Sequence, residues 1–190
     1  MGWKQASKGL SKLQESPQSR DNLSFLVGDV DTFIGALEAE GMKFSDDGTE
    51  ISLLSSSGYG AYSLSWRLGC SVQYSNICSS TNIEAREYVK GGSSVLVADE
   101  QTDGRGRLGR SWSAEAGKNI LCSFILRPDV PVEQAARCSL LWAASIAAVL
   151  DLFVKWPNDL VTQDGKKVGG ILVELADESP TLILGLGLNV

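Results

Sequence analysis

The 190-residue sequence contains no histidine, and that absence removes most of the familiar catalytic machinery. Without imidazole there is no Ser-His-Asp or Cys-His arrangement and no His-built zinc or iron centre. Chemistry in this chain has to run on lysine, arginine, carboxylates and bound ions. Cysteine is sparse as well. The four thiols, Cys70, Cys78, Cys122 and Cys138, form no C-x-x-C pair. Two of them lie within apolar runs, which predicts free buried thiols in a reducing cytoplasm and not a disulfide frame. Long apolar runs are missing: none approaches the roughly 18 residues of a membrane span. The polar start Met1-Gly2-Trp3-Lys4-Gln5 also lacks the apolar segment of a secretory signal. Surplus positive charge is absent too. A net charge of −6 and an isoelectric point near 4.7 argue against duplex binding, which calls for a basic face. The expectation is a soluble, cytoplasmic chain whose nucleotide ligand, if it has one, is small.

What is present divides unevenly. The length suits one ordinary domain, or one domain with a short appendage. Residues 1–68 carry six basic against nine acidic side chains and much Ser and Gly. Residues 69–190 show dense alternation of strand and helix signals. In the first part, Phe33, Ile34 and Leu37 at helical spacing before Gly41 predict a helix over 31–40. Segments 50–54 and 61–66 read as two strands joined by a flexible turn, so the region fits a reduced winged helix. Its acidity weakens a DNA-binding reading.

From residue 71 the pattern sharpens. A strand over 71–77 leads to Thr81 and Glu84, which match the S/T-x-x-E capping box, and a helix runs from there to residue 90. Gly91-Gly92 ends it, a buried strand follows at 94–98, and 103–117 is a loop rich in Gly and Arg. The next strand covers 119–127. Pro131 opens a helix over 132–150 that is apolar almost all round, which places it under the sheet. Strands at about 152–161, 168–175 and 181–188 are joined by hairpin-sized connections, too short for parallel crossovers. The class is therefore α+β, with a mixed, largely antiparallel sheet packed with helices.

Four places carry chemical potential. Gly104-Arg-Gly-Arg-Leu-Gly109 matches G-x-G-x-x-G literally, but no helix opens at the third glycine and no parallel βαβ unit surrounds it, so a dinucleotide site is rejected. What remains is three arginines, Arg105, Arg107 and Arg110, within six residues. Such a cluster suits a multiply charged anion, with solvated basic loop as the bland alternative. Trp112 beside it is either a stacking surface for a base or a packing anchor. Lys155, in Phe153-Val-Lys155-Trp-Pro-Asn158-Asp159, either snorkels out at a sheet edge or meets an anion in a pocket. Asp159 suits either Mg²⁺ or an Asx-type turn. Ser80-Thr81-Asn82 gathers hydroxyl and amide groups at a helix start, where capping alone explains at least one. Gly185-Leu-Gly187-Leu-Asn189 ends the last strand, where missing side chains allow either a bulge or close approach of something flat.

Taken together, Ser80-Thr-Asn82, Gly104-Arg-Gly-Arg-Leu-Gly-Arg-Ser-Trp112, Lys155-Trp-Pro-Asn-Asp-Leu160, Lys167-Val-Gly-Gly-Ile-Leu-Val-Glu174 and Gly185-Leu-Gly-Leu-Asn189 resemble biotin protein ligase in order and spacing, over about residues 70–190. The resemblance implies the biotin/lipoate ligase catalytic-domain fold, which is class II aminoacyl-tRNA-synthetase-like. It also implies biotin–[biotin carboxyl-carrier protein] ligase activity: biotin and Mg-ATP give biotinyl-5′-AMP and pyrophosphate, then a carrier lysine attacks to form an amide. Carried over position by position, Ser80, Thr81 and Gln101 bind the ureido end of biotin, with Asn82 beside them. Arg105, Gly106 and Arg107 close over biotin and the adenylate, the two arginines taking a catalytic part. Arg110 meets phosphate, Trp112 packs at the adenine side, and Asn158 borders the nucleotide. Lys155 holds the carboxylate and stabilises charge at the acyl phosphate. Gly170, Gly185 and Gly187 let the backbone approach biotin, and Asp159 is the one metal candidate.

The implied partner is the biotin carboxyl carrier domain of acetyl-CoA carboxylase or a related carboxylase. A homodimer is compatible with the family, whereas DNA and membrane are disfavoured. Family members usually continue past the Gly-x-Gly-x-Asn strand. A non-catalytic fragment that binds biotin or its adenylate is therefore one alternative; a lipoate-type ligase on the same scaffold is another, disfavoured because the arginine loop and Lys155-Trp-Pro-Asn-Asp-Leu160 follow the biotin pattern. The glycines and mutually repelling arginines of 103–117 predict a loop that orders over ligand.

Overall fold

In a computed structural model the described residues are 3–55, 60–90, 94–128, 131, 134–176 and 181–190. The chain forms two compact units, Met1–Val72 and Gln73–Val190.

The first unit runs α1 (Trp3–Glu15), β1 (Gln18–Ser19), α2 (Arg20–Val27), α3 (Val30–Ala39), β2 (Lys43–Asp46), β3 (Glu50–Ser55) and α4 (Ala61–Leu68). Its antiparallel sheet has the order β1-β3-β2. Ala6, Leu10 and Leu13 of α1 and Phe33, Ile34 and Leu37 of α3 are buried in one core with Leu23, Val27 and Ile51. Asp29 caps α3, accepting from the backbone N–H groups of Asp31 and Thr32 at 3.1 Å each.

Two expectations are corrected here. Residues 61–66, read as a strand, are helical. The apparent alternation of Tyr62, Leu64 and Trp66 conceals an i, i+4 pair, Tyr62 and Trp66, that packs on the core. The helix also has a cap that no local sequence signal reveals. The Glu40 carboxylate, about twenty residues earlier, accepts from the N–H groups of Tyr62 (2.9 Å) and Ser63 (2.8 Å). Gly60 makes room for it, since a Cβ there would lie 2.4 Å from the Glu40 carboxyl carbon. The region also holds α1 and α2 where one helix was expected.

The second unit is built on a seven-stranded sheet. Its strands are β4 (Val72–Cys78), β5 (Val95–Gln101), β6 (Asn119–Leu126), β7 (Phe153–Lys155), β8 (Asp159–Val161), β9 (Lys167–Leu175) and β10 (Leu182–Asn189). The spatial order is β4-β5-β6-β10-β9-β8-β7, antiparallel at every step from β5 to β7. α6 (Ala135–Leu150) covers one face. Alternation assigns the sides: Leu184, Leu186 and Leu188 of β10 pack towards Ala143 and Ala147 of α6, so Gly185 and Gly187 face the other way. On that second face lies α5 (Thr81–Glu84), continued by a 3₁₀ turn over Ala85–Tyr88.

Several boundaries differ from expectation. α6 was expected beneath the sheet, but only one face of it packs. Leu141 and Val149 are 66% and 82% exposed, because a helix lying on one sheet buries one stripe however apolar the rest is. The start of that expected helix, at 132–133, lies outside the described residues, as do Gly91-Gly92 and the 177–180 connection. The segment 152–161 is two strands, β7 and β8, since Pro157 cannot donate to a ladder. The helix predicted to reach residue 90 is short, and Ser80, not Thr81, precedes it. Glu84 reaches back to the Ser79 N–H (3.1 Å) instead of completing a capping box.

Candidate active site

The sheet register builds a floor. Across the strands, Ser123, Gly185 and Leu172 form one row, and Leu121, Gly187, Gly170, Asp159 and Lys155 form the next. With glycine at three of these positions the floor is low, and a cleft stands over it. The cleft is lined by Ser80, Thr81, Asn82 and Gln101, by Arg105, Arg107, Arg110 and Trp112 of the loop, and by Asn158, Asp159 and Lys167, with Gly170, Gly185 and Gly187 on the floor.

Two of the glycines make room for the protein's own side chains. A Cβ on Gly185 would come within 2.3 Å of Asn82 Oδ1, and one on Gly187 within 2.5 Å of the Trp112 ring. The Trp112 indole therefore packs on the floor over Gly187 and beside Gly170. Its buried Nε1–H has no acceptor among the described residues. Lys167 Nζ stands 5.5 Å from its ring centroid, a cation–π contact.

The polar end is knitted tightly. Ser80, Thr81 and Asn82 are 2–4% exposed, and Ser123 is fully buried below them. Gln101 Oε1 accepts from the Thr81 backbone N–H at 2.7 Å. Asn82 Nδ2 donates to Glu174 Oε2 at 2.8 Å and its Oδ1 accepts from Ser123 Oγ at 2.7 Å, so both ends of this amide are engaged with protein. β4 and β5 continue pairing into this corner through Thr102 N–H to Cys78 O (2.9 Å) and Asp103 N–H to Ser79 O (2.8 Å).

The arginine loop is a closed turn. Gly106 N–H donates to Arg110 O and Trp112 N–H to Gly104 O, both at 2.7 Å, and Arg105 bridges to Ser111. Leu108 and Gly109 take left-handed conformations, φ 57° and 72°, which turn the chain back within six residues. Leu108, strained there as a non-glycine, projects 88% exposed. Arg105 reaches towards Glu174, 3.9 Å away, while Arg86 approaches the same carboxylate at 3.7 Å.

Of the sequence-derived candidates, all but one line the cleft. Lys155 does not. It is exposed in β7 at the sheet edge, yet it ends the row that contains Gly187, Gly170 and Asp159 and so belongs to the cleft face. Asp159, the metal candidate, forms an ion pair with Lys167 at 2.8 Å, and the described residues contain no group of three metal-ligating side chains. Sequence reasoning gave no role to Ser123, Glu174 or Lys167. The available signal for the first two was a polar residue inside an otherwise apolar strand. Cys78 and Cys122 are buried, and burial pushes both thiols up to about 12, which leaves them protonated and inert at neutral pH. No described helix is long and apolar enough to cross a membrane.

The antiparallel sheet, with a helix on one face and an anion-ready cleft on the other, defines a class II synthetase-like catalytic domain. The chain belongs to the biotin/lipoate A/B protein ligase family, whose profile matches residues 78–190. Among its relatives is the bifunctional ligase/repressor BirA of Bacillus subtilis, 36% identical over 135 residues, or 65% of this chain and 41% of that protein. The biotin–[acetyl-CoA-carboxylase] ligase of Mycobacterium tuberculosis is 43% identical over 109 residues, covering 50% of this chain and 39% of that one. The chain thus spans about two fifths of the length of these curated relatives. A crystal structure of biotin acetyl coenzyme A carboxylase synthetase from Helicobacter pylori, with bound biotinylated ATP, superposes with a TM-score of 0.53 at 25% identity, covering 64% of this chain and 61% of that one.

Proposed function

We propose that this chain carries out ATP-dependent ligation of biotin to a lysine of a biotin carboxyl carrier domain through biotinyl-5′-AMP. The observation that supports this most directly is the single cleft joining a buried hydroxyl and amide pocket, Ser80, Thr81 and Gln101, to a three-arginine turn across a glycine floor. A neutral polar head fits the first, a carboxylate and phosphates fit the second, and an extended apolar link fits between them.

In the first half-reaction a biotin carboxylate oxygen attacks the α-phosphorus of ATP, and the bond to pyrophosphate breaks. The arginines neutralise charge on the pentacovalent phosphorus and on the departing pyrophosphate, and they do so in a cleft that orients both partners. In the second, an unprotonated lysine amine attacks the acyl carbon. AMP leaves, the amine loses a proton and an amide forms. No step requires imidazole. Mg²⁺ enters as the Mg-ATP substrate: Asp159 is already neutralised by Lys167, so these residues do not fit a resident metal, and none is assigned a step. Trp112, packed on the floor over Gly187, is the surface for the adenine.

Incubation with biotin, Mg-ATP and a biotin-accepting carrier domain, read by streptavidin blot, tests the proposal. Labelled carrier is the expected result. Pyrophosphate release without labelled carrier confines the chain to adenylate formation, and neither product removes the ligase reading.

A further inference from the structure

Between Ala135 and Leu150, α6 carries a single charged residue, Arg137. The buried stripe of the helix is centred on Ala143 and Ala147. At 3.6 residues per turn, Leu141, Ser145, Ala148 and Val149 share the stripe on the opposite side, and all four are exposed. The one hydroxyl proton there is held within the helix, because Ser145 Oγ donates to Leu141 O at 2.9 Å. Leu141 and Val149 are 66% and 82% exposed, and the small side chains between them let a second helix approach closely. A contiguous apolar strip of this kind marks a contact surface.

We infer that this stripe is where a second copy of the chain docks, the two α6 helices lying antiparallel across a two-fold axis at Ser145. A two-fold contact uses one patch on both copies, so the patch has to complement itself. With the axis at Ser145, Leu141 packs on the partner's Val149, each four residues from the axis, and Ala148 lies beside them. Charge fixes the direction. Arg137 sits in the first turn of α6 and Asp151 at its C-cap, so each stands at the end of the helix dipole that opposes its own charge. Both are exposed, and among the described residues neither has an ion-pair partner. From Ser145 they lie about 80° and about 120° round the helix in the same sense, and about 12 Å and about 9 Å along it in opposite directions. An antiparallel copy therefore brings Arg137 to the partner's Asp151, and Asp151 to the partner's Arg137, within reach of an arginine side chain. A parallel pair would set like charges side by side. A different protein could cover the apolar stripe, but a copy also accounts for two opposite charges at matching heights on one flank.

Sedimentation velocity of the 190-residue chain in reducing buffer tests this, at ~5 to ~500 µM because one helix pair is a small interface of weak affinity. The wild type is expected to pass from monomer to dimer within that range. Leu141→Glu, a change at an exposed position, weakens association at least ~10-fold. Val149→Glu does the same from the other half of the contact, which keeps the test intact if one variant does not fold. Arg137→Asp weakens association ~3-fold or more, and adding Asp151→Arg brings it back to within about 2-fold of the wild type, which an apolar contact alone would not do. A wild type that stays monomeric to ~500 µM overturns the inference and leaves the stripe to a different protein. A dimer that both glutamate variants leave intact overturns it in favour of another surface. A charge-reversed pair no tighter than Arg137→Asp alone overturns the antiparallel arrangement.

Discussion

Lys155 stands at the outer end of the row that runs Gly187, Gly170, Asp159, Lys155, with its side chain exposed and its strand face shared with the cleft floor. Adjacent strands lie about 4.8 Å apart, so the ammonium on its four-carbon stem needs to cross little more than one strand, above Asp159, to meet a carboxylate between the floor and the arginine turn. The expected outcome is that Lys155→Ala lowers biotinyl-adenylate formation at least ~10²-fold while leaving the melting temperature in place. A pyrophosphate-release assay on the two proteins decides it, and near-normal release from the mutant removes Lys155 from the mechanism. Residues of this kind were legible in the sequence because charged groups and glycines interrupt apolar strands there. Ser123 and Glu174 were not assigned roles, because what they do depends on which residue of a neighbouring strand or helix they meet. Register supplies that, and a single chain read in order does not. The same holds for the glycines: their need for space was visible, whereas the occupants of that space, Asn82 and Trp112, come from α5 and from the loop.

At the scale of elements, the arginine turn is bound to itself more firmly than to the sheet. Its two 2.7 Å main-chain bonds are internal, and among the described residues the side-chain ion pair that ties it to β9 is Arg105 to Glu174 at 3.9 Å. Such an element moves as a unit, and phosphates between Arg107, Arg110 and the floor would add the contacts that hold it down. Trypsin cleavage after Arg105, Arg107 and Arg110 is expected to slow when biotin and ATP are both present. An unchanged cleavage rate rules out a closing role for the turn. Long elements such as β9 and β10 were legible because eight or nine mostly apolar residues bounded by turn-forming segments suit a strand covered on both faces. Short ones were not: in α4, eight residues of alternating Ser and larger groups satisfy either period, and the Glu40 carboxylate that caps it comes from elsewhere in the unit. β7 and β8 read as one strand for a related reason, since Pro157 marks a break without saying whether the chain turns back.

For the molecule as a whole, the acidic balance concentrates where a nucleic acid would have to dock. The first unit follows the order helix, strand, helix, helix, strand, strand through α1 to β3, and we propose that it is a winged-helix module. In a helix-turn-helix the second helix enters the major groove, here α3. The exposed residues of α3 are Asp31, Thr32, Gly35, Glu38 and Ala39, which offer two carboxylates and no cation. The nearest guanidinium, Arg20 at the start of α2, is paired with both Asp31 and Asp46. Duplex binding draws its non-specific affinity from cations that displace condensed counterions, and this face would add repulsion instead. The whole chain is therefore expected to leave labelled random-sequence duplex unbound at about 0.15 M salt. A variant carrying Asp31→Lys and Glu38→Lys should gain binding that weakens as salt rises, as counterion release requires. Fluorescence anisotropy across a salt series measures both. A wild-type dissociation constant below ~1 µM, tighter than typical non-specific binding, would show that the module reads DNA through a surface other than α3.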